Sequence, residues 1–490
     1  MFSYEEILHV TGGEPLYHPG QNPSVLEGCV GVSTDTRSIR PGDLFIALVG
    51  ERFDGHMFLC AAAEKGATIA LLSRKEQLPD SMTGILVSDT LKALQCLARA
   101  YRRKLACRVI AVTGSVGKTS TREMLYFALS KAKRTHATKQ NLNNEIGLPL
   151  TILSAPRDTE ILILEMGMRM RGEIEVLSRI AEPDIALITN VGVSHIERLG
   201  SREEIRDAKL EICSGLRDDG VLLYSGNDEY LAPYFREKKN NRPYRIGETL
   251  DEGSNDDAIA DLAVRAVSVH CDHEGTSFSI EARINKSNPM LPMDRITIPA
   301  IGSHQVKNAM FAVLTALVLD VSLSYVVRGL AEYYPTGSRS KVIRVDPYLL
   351  IDDAYNASPE SMAAAFTSLH IIAEKENRRA VAALGCVLEL GAFAEDLHVT
   401  IGQAAAKAGI HSLYLCGDFA KNIADGARMI KPQMNIKLFS SREDLTSVLL
   451  QEIEPGDAIL AKGSHAFAME KVIEAILSSL QGKDKPEDQR

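Results

Sequence analysis

What this chain lacks narrows its function before any motif is considered. No apolar run approaches the length needed to cross a bilayer. The longest candidate, MFAVLTALVLDV from Met310 to Val321, is short, carries Thr315 and Asp320, and reads as a buried helix. The first residues, MFSYEEILHVTGG, hold two early glutamates and no apolar h-region, so no secretory signal is expected. Eight cysteines, at positions 29, 60, 96, 107, 213, 271, 386 and 416, are scattered without a Cys-x-x-Cys pair. That argues against a disulfide framework and fits buried free thiols in a reducing compartment, so the expected location is the cytoplasm, without membrane insertion. No long basic block occurs and the formal net charge is -9, which argues against a sequence-independent grip on nucleic acid. A local cationic pocket for a phosphorylated small molecule is still allowed. There is no internal repeat, and the terminal QGKDKPEDQR, charged and without apolar period, is expected to be disordered.

What is present is ordinary globular material in quantity. At 490 residues, 45% hydrophobic and 24% charged, the chain exceeds one ordinary core. Three stretches differ in texture. Residues 1–104 mix short strands (GVSTDTRS, DLFIALVG, TIALLS, GILVSD) with helices, as a small α/β domain does. Residues 105–334 alternate continuous apolar runs (RVIAVTG, ILILEMG, DIALITNVG) with helices, the texture of a mostly parallel sheet covered on both faces. Residues 335–490 alternate again (YLLIDDAY, AVAALGC, SLYLCG, NIKLF, DAILAKGS), as in a Rossmann-like α/β domain. In parallel sheets ligands bind beyond the carboxyl ends of the strands, so Thr113, Glu165, Asn190 and His195 should converge on one edge.

The run VIAVTGSVGKTSTREML, Val109 to Leu125, has the strand-loop-helix setting of a phosphate-binding loop. Its upstream glycine, Gly114, stands two residues closer to Gly117 than the usual pattern requires. Backbone amides of Gly114, Ser115, Val116, Gly117 and Ser120, with the Lys118 ammonium, would hold phosphate oxygens, and the Thr119 hydroxyl would face a magnesium ion. Glu165, a carboxylate ending a buried strand, needs a cation or donors; a metal or Lys118 would serve. His195 alone reads as metal ligand or satisfied structural residue. Lys209 reads as a surface lysine beside the apolar face Ile205, Ala208 and Ile212. The HCDHE run, His270 to Glu274, has metal-ligand residue types but sits between alternating stretches, as a solvated hairpin tip does.

Together, TGSVGKTS, TKQNLNNEIGLPLTIL and LEMGMRMRGEIEVLSRIAEPDIALITNVGVSHIERLGSREEIRDAKLEI closely resemble the Mur ligases, ATP-dependent amide-forming enzymes of peptidoglycan synthesis. The shortened loop is a mark of that family. STDTRSIRPGDLFIALVGERFDGHMF, IDDAYNASPESMAAAF and LELGAFAEDLHVTIG extend the resemblance over nearly the whole chain. It implies ATP, about two Mg2+ ions, UDP-N-acetylmuramoyl-tripeptide and D-alanyl-D-alanine as reactants, and a monomer. In that reaction ATP phosphorylates the tripeptide's terminal carboxylate and the dipeptide amine displaces phosphate. By this resemblance Lys118 and the loop amides hold the β- and γ-phosphates. Thr119 and Glu165 bind one magnesium, His195 helps to bind a second, and Lys209 is carbamylated by carbon dioxide. Asn308 lies near the adenine, while Arg339 and Asp353 reach the γ-phosphate and ribose, which requires the third domain to close onto the second. Ser33, Thr34, Thr36, Arg37, Arg52, Asp54, Gly55 and His56 hold the UDP portion. Thr138, Asn141, Asn143 and Asn144 meet the muramoyl-peptide portion, although asparagines there also suit turns.

The chain departs from the family pattern at Cys386 and Val387, where Asp and Met are usual, at His465 in place of Arg, and at Ser338 in place of Met or Gly. These positions bear on how the dipeptide is held. A sister ligase or a folylpolyglutamate synthase-like enzyme adding one amino acid is the alternative within the class. A non-catalytic nucleotide-binding regulator is the alternative outside it, opposed by the set Thr119, Glu165, His195 and Lys209.

Overall fold

The structure, a computed structural model, describes residues 1–17, 28–51, 53–75, 78–237, 244–254 and 260–483. Arg52 and the last seven residues of the expected tail, 484–490, lie outside them. Contacts gather the chain into two compact units: residues 1–113, 132–187 and 210–222, and residues 114–131, 188–209 and 223–490.

The chain opens with α1 (Tyr4–Thr11), started by a capping box in which Ser3 and Glu6 each satisfy the other's backbone amide. Then come β1 (Glu14–Leu16), β2 (Val32–Ser33), β3 (Leu44–Ile46), the hairpin β4 (Val49–Gly50) and β5 (Phe53–Asp54), α2 (Leu59–Glu64), β6 (Ile69–Leu72), β7 (Thr83–Leu86) and α3 (Thr90–Lys104). A five-stranded sheet runs in the order β1-β7-β6-β3-β2, parallel except for β1. Phe45, Ala70, Leu72 and Met82 pack there with Leu59 and Ala62 of α2. The strand expected at GVSTDTRS stops at Ser33, because Asp35 turns the chain: its carbonyl accepts from the Ser33 hydroxyl at 2.9 Å and its carboxylate from the Arg37 amide at 2.9 Å. Helix α3 starts on Asp89, which accepts from Leu91 and Lys92 amides, and buries Ala93, Leu94, Leu97, Ala98 and Tyr101 at helical spacing. Its buried Arg102 donates to the Ala181 carbonyl at 2.8 Å and pairs with Asp184, which anchors the helix.

The middle of the chain supplies β8 (Arg108–Thr113), α4 (Lys118–Leu129), β9 (Thr135–Ala137), α5 (Gly147–Leu153), β10 (Ile161–Glu165), α6 (Glu173–Ala181) and β11 (Ile185–Ile188). It continues with α7 (Ile196–Leu199), α8 (Arg202–Leu210), β12 (Val221–Ser225), α9 (Leu231–Glu237), β13 (Arg245–Leu250), β14 (Leu262–Cys271), β15 (Thr276–Arg283), β16 (Leu291–Ile298), α10 (Ser303–Val318) and α11 (Leu323–Ala331). The sheet order is β16-β15-β14-β13-β12-β11-β8-β10-β9. Strands β8, β10 and β9 are parallel, and Val109–Val112 and Leu162–Leu164 are wholly buried, as strands covered on both faces must be. The β14–β16 end is antiparallel, and β15 alternates buried and partly exposed residues over most of its length. HCDHE ends β14 and enters the β14–β15 turn, with Asp272 accepting the Glu274 and Gly275 amides. MFAVLTALVLDV falls on α10 as far as Val318, and the helix is buried along most of its length.

A third sheet, β17 (Lys341–Val345), β18 (Tyr348–Asp352), β19 (Ala380–Gly385), β20 (Ser412–Cys416), β21 (Asn435–Phe439) and β22 (Ala458–Lys462), has the order β17-β18-β22-β19-β20-β21 and is parallel except for β17. It is accompanied by α12 (Pro359–Lys375), α13 (Ala394–Lys407), α14 (Ala420–Ile430), α15 (Arg442–Glu452) and α16 (Glu470–Lys483). Leu350, Val381, Ala383, Ile459 and Ala461 meet Val472 and Ile476 of α16 in one core. This is the expected C-terminal α/β domain, and its last helix reaches three residues into the segment expected to be a tail. Among the described residues, no helix is long and apolar enough to cross a membrane.

Candidate active site

In the first unit, Glu165 ends β10 opposite Val112 in parallel register, so its carboxylate lies at the carboxyl edge where β8 ends. It is almost fully buried, and the Asn143 amide donates to its Oε1 at 2.9 Å. Thr138, also buried, accepts the Glu165 backbone amide at 3.0 Å. Asn144 caps α5 by accepting from the Gly147 amide at 2.8 Å, and the Asn141 carbonyl accepts the Asn143 amide. Three of the four residues expected to meet the muramoyl-peptide portion therefore also build the turn that orients Glu165.

The expected uridine-side residues other than Arg52 lie on two stretches of the same unit, Ser33–Arg37 and Asp54–His56. His56 is buried with both ring nitrogens engaged: Nδ1 lies 2.7 Å from Asp54 Oδ1, and Nε2 accepts the Ser73 amide at 3.1 Å. Asp54 also pairs with Arg74 at 2.7 Å, and these two partners hold its carboxyl down at about 2. Arg37, paired with Asp35, is largely exposed, and Ser33 is buried.

In the second unit the loop from Gly114 to Lys118 is braced from behind. Asn190 Oδ1 accepts the Val116 amide and its Nδ2 donates to the Val116 carbonyl, both at 3.0 Å, while Gly192 donates its amide to the Ser115 hydroxyl at 2.9 Å. Lys118 folds over the loop and donates to the Gly114 and Ser115 carbonyls at 2.7 and 3.3 Å. Gly117 has φ +84°, and a Cβ there would lie 2.6 Å from Oδ1 of the buried Asn308, which also accepts from the Thr121 hydroxyl. The loop thus needs glycine on both conformational and steric grounds. Gly117→Ala is expected to lower stability by at least about 1 kcal/mol, read as a reduced urea midpoint at unchanged slope.

Lys209 corrects the surface reading of the bare pattern. It is 1% exposed, because α8 is covered beyond its apolar stripe, where Ile205 and Ala208 are also buried. Burial first, and then the Lys118 charge, push its amine well below the ordinary lysine range, with Asp228 opposing. His195, at φ +66°, immediately precedes α7. Its Nδ1 lies 2.7 Å from Glu389 Oε2 of the C-terminal domain, and no hydrogen bond to Nε2 occurs among the described residues. Burial lowers its pKa, helped by Lys118 and Lys209 and opposed by Glu389.

From the C-terminal domain, Arg339 lies 3.6 Å over the Tyr355 ring. Asp353 accepts the Ser340 amide at 2.8 Å and pairs with the buried Lys462 at 2.7 Å. Thr336 donates to Glu123 of α4, tying the segment before Arg339 to the helix that starts at the loop. The unusual Cys386 is buried, its thiol pushed up to about 12 by that burial, so it is inert. Val387 donates its amide to His398, which stacks on Phe419, and His465 lies 5.8 Å from Tyr355 ring to ring. Sequence reasoning did not single out Glu389, Glu360, Asp228 or Lys462. The first two sit inside stretches quoted for the resemblance, but their partners lie more than 160 residues away.

No group of three or more His, Cys, Asp or Glu side chains placed to hold a metal occurs among the described residues. Thr119 and His195, in the second unit, carry a hydroxyl and an imidazole nitrogen, and Glu165, in the first, carries a carboxylate.

Three consecutive α/β domains, with a shortened phosphate loop at the central strand-to-helix turn, define the class of Mur-type ligases. Family models match in that order: Mur ligase family, catalytic domain over residues 29–102; Mur ligase middle domain over 112–316; and Mur ligase, glutamate ligase domain over 338–465. The chain belongs to the Mur ligase family, within it to the UDP-N-acetylmuramoyl-tripeptide–D-alanyl-D-alanine ligases. The enzyme of that name from Bacillus subtilis is 39% identical over 95% of this chain and 96% of its own. That from Escherichia coli is 31% identical over 91% and 93%. MurF from Acinetobacter baumannii superposes with a TM-score of 0.84 at 29% identity, covering 97% of this chain and 99% of its own. MurF from Thermotoga maritima, solved in complex with ADP, gives 0.76 at 27% identity, over 92% and 98%.

Proposed function

We propose that this chain is an ADP-forming ligase that joins D-alanyl-D-alanine to UDP-N-acetylmuramoyl-tripeptide through an acyl phosphate, acting in the cytoplasm in peptidoglycan synthesis. The observation that carries this reading is full-length similarity to such ligases together with a buried Lys209 in the same unit as the phosphate loop. The domains would be 1–104 for the UDP substrate, 105–334 for ATP and 335–490 for closure and the dipeptide.

Two anions, a carboxylate and a triphosphate, must meet, so the reaction needs positive charge and alignment more than acid–base groups. Lys118 and the loop amides would hold the β- and γ-phosphates. Asn308 would line the adenine, and Arg339 and Asp353 would reach the γ-phosphate and ribose. Thr119, Glu165, His195 and a carbamylated Lys209 would hold magnesium, which when bound neutralises phosphate charge. Asn143 aims Glu165 by donating to its Oε1. Asn143→Ala should therefore raise the Mg2+ concentration needed for half-maximal activity about tenfold, with a smaller change in the KM for D-alanyl-D-alanine.

The test is ligation by the purified protein, with both diaminopimelate- and lysine-containing UDP-tripeptides offered in competition. ADP release that depends on D-alanyl-D-alanine is the expected result. Equal ADP release without the dipeptide, or ligation of a single amino acid in its place, would exclude the assignment.

A further inference from the structure

The segment from Val191 to Glu197 carries His195 and is gripped from two directions. At its start, Asp228 accepts the Val191 amide at 2.8 Å and Arg202 donates to the Val191 carbonyl at 2.7 Å. Beyond it, Gly192 donates its amide to the Ser115 hydroxyl, and Val193, His195 and Glu197 are held by the C-terminal domain. Glu360, in the first turn of α12, accepts the Val193 amide at 2.9 Å and crowds Gly192 so closely that a Cβ there would lie 2.6 Å from its Oε1. Glu389 takes His195 Nδ1 at 2.7 Å with its carboxylate, and its carbonyl accepts the Glu197 amide at 3.4 Å. Next to it, a Cβ on Gly391 would lie 2.9 Å from the Glu197 side chain.

Two details separate this from a casual surface pair. His195 and Glu389 both adopt left-handed backbone, at φ +66° and +62°, and neither is glycine. Residues are kept in that region only where the surroundings over-determine them. An ionised carboxylate can only accept, so the proton of the neutral ring must sit on Nδ1, and Nε2 presents its lone pair. A ligating histidine is commonly fixed this way, but here the fixing group arrives from another domain.

We propose that Glu389 is a positioning residue for His195, supported by Glu360: docking of the C-terminal domain sets the tautomer and orientation in which His195 can hold a divalent cation. This rests on the reading of His195 as a metal ligand. It links arrival of the domain that carries Arg339 to completion of the metal site, so that a phosphate-side cation is held well only when the domain supplying Arg339 is in place.

The probe is Mn2+, titrated into the full-length protein with a saturating non-hydrolysable ATP analogue and followed by electron paramagnetic resonance. The ring 15N shifts of His195, assigned by their loss in His195→Ala, are recorded in parallel. Glu389→Ala is expected to weaken the weaker Mn2+ site about tenfold and to shift the His195 ring towards a mixture of tautomers. Glu389→Gln, which keeps an acceptor oxygen, should recover most of both. If Glu389→Ala leaves Mn2+ affinity and ring shifts unchanged while His195→Ala weakens the site, the positioning role is wrong and the metal reading stands. If His195→Ala also leaves Mn2+ binding unchanged, the metal reading fails and the positioning role fails with it.

Discussion

Lys209→Ala is expected to cut ligation at least a hundredfold (~10² or more), and acetate or formate to restore part of the loss. The reasoning starts from burial. A lysine that is 1% exposed beside another cation pays desolvation and repulsion when protonated, and Asp228 is the group that counters them among the described residues. Its amine is therefore neutral much more readily than a surface lysine's, and the neutral amine is the form that adds to carbon dioxide. A bond forms from Nζ to the carbon of carbon dioxide, a proton leaves to solvent, and a cationic position becomes an anionic, oxygen-bearing one. A divalent ion near His195 would stabilise that anion. Alanine leaves a vacant place of the size and charge preference of a small carboxylate, which is why a short acid should substitute. Lys209→Met supplies the control for folding. It removes a buried amine that lacks full compensation, so its melting temperature should be equal to or above the parent's while activity is still lost. If Lys209→Ala matches the parent in buffer equilibrated with carbon dioxide, this lysine takes no part in the reaction.

The same residue marks where sequence reasoning stopped. Counting Ile205, Ala208 and Ile212 as the apolar face correctly picked buried residues, the first two on α8 and the third just past it, but helical period says nothing of what covers the flank on which Lys209 lies. Strand ends were legible because a continuous apolar run that closes on a polar residue is rare and has a structural cause. Glu165 ends β10 and Asn190 follows β11 accordingly. Alternation in TSFSIEAR likewise marked β15. Short motifs were read less well. STDTR was taken as strand and is mostly turn, since Ser33 and Asp35 side chains compete with the ladder for backbone groups. For His56, expected to hold the UDP portion, the ring's partners were not legible: Asp54 and Ser73 hold it, the latter 17 residues on, where no local pattern could name it. Glu360 and Glu389 belong to the same class of omission. Their meaning arises where the C-terminal domain meets the His195 segment, and nothing within a few residues of either signals that meeting.

Lys118→Ala should abolish ligation, by about 10³-fold or more, and no added carboxylic acid should restore it. Lys118 is the first residue of α4, directly after Gly117, and its ammonium already lies on the loop carbonyls of Gly114 and Ser115. Those carbonyls are acceptors that phosphate cannot use, so in the proposed reaction the ammonium would exchange them for β- and γ-oxygens as charge develops between the two reacting anions. Nothing else among the loop residues carries positive charge; the amides provide only partial charges. Alanine is a good residue for a helix start and leaves the Asn190 and Gly192 braces in place, so the fold should survive with its urea midpoint little changed. Lys118→Arg keeps the charge but presents a planar fork where a compact ammonium bridges two carbonyls, and should recover only a small part of the rate. The contrast with Lys209 is the decisive feature. One variant lacks a cation and the other an anion, so acetate separates them. A folded Lys118→Ala protein turning over near the parent rate would mean that the shortened loop is not where the phosphates bind, whatever its resemblance.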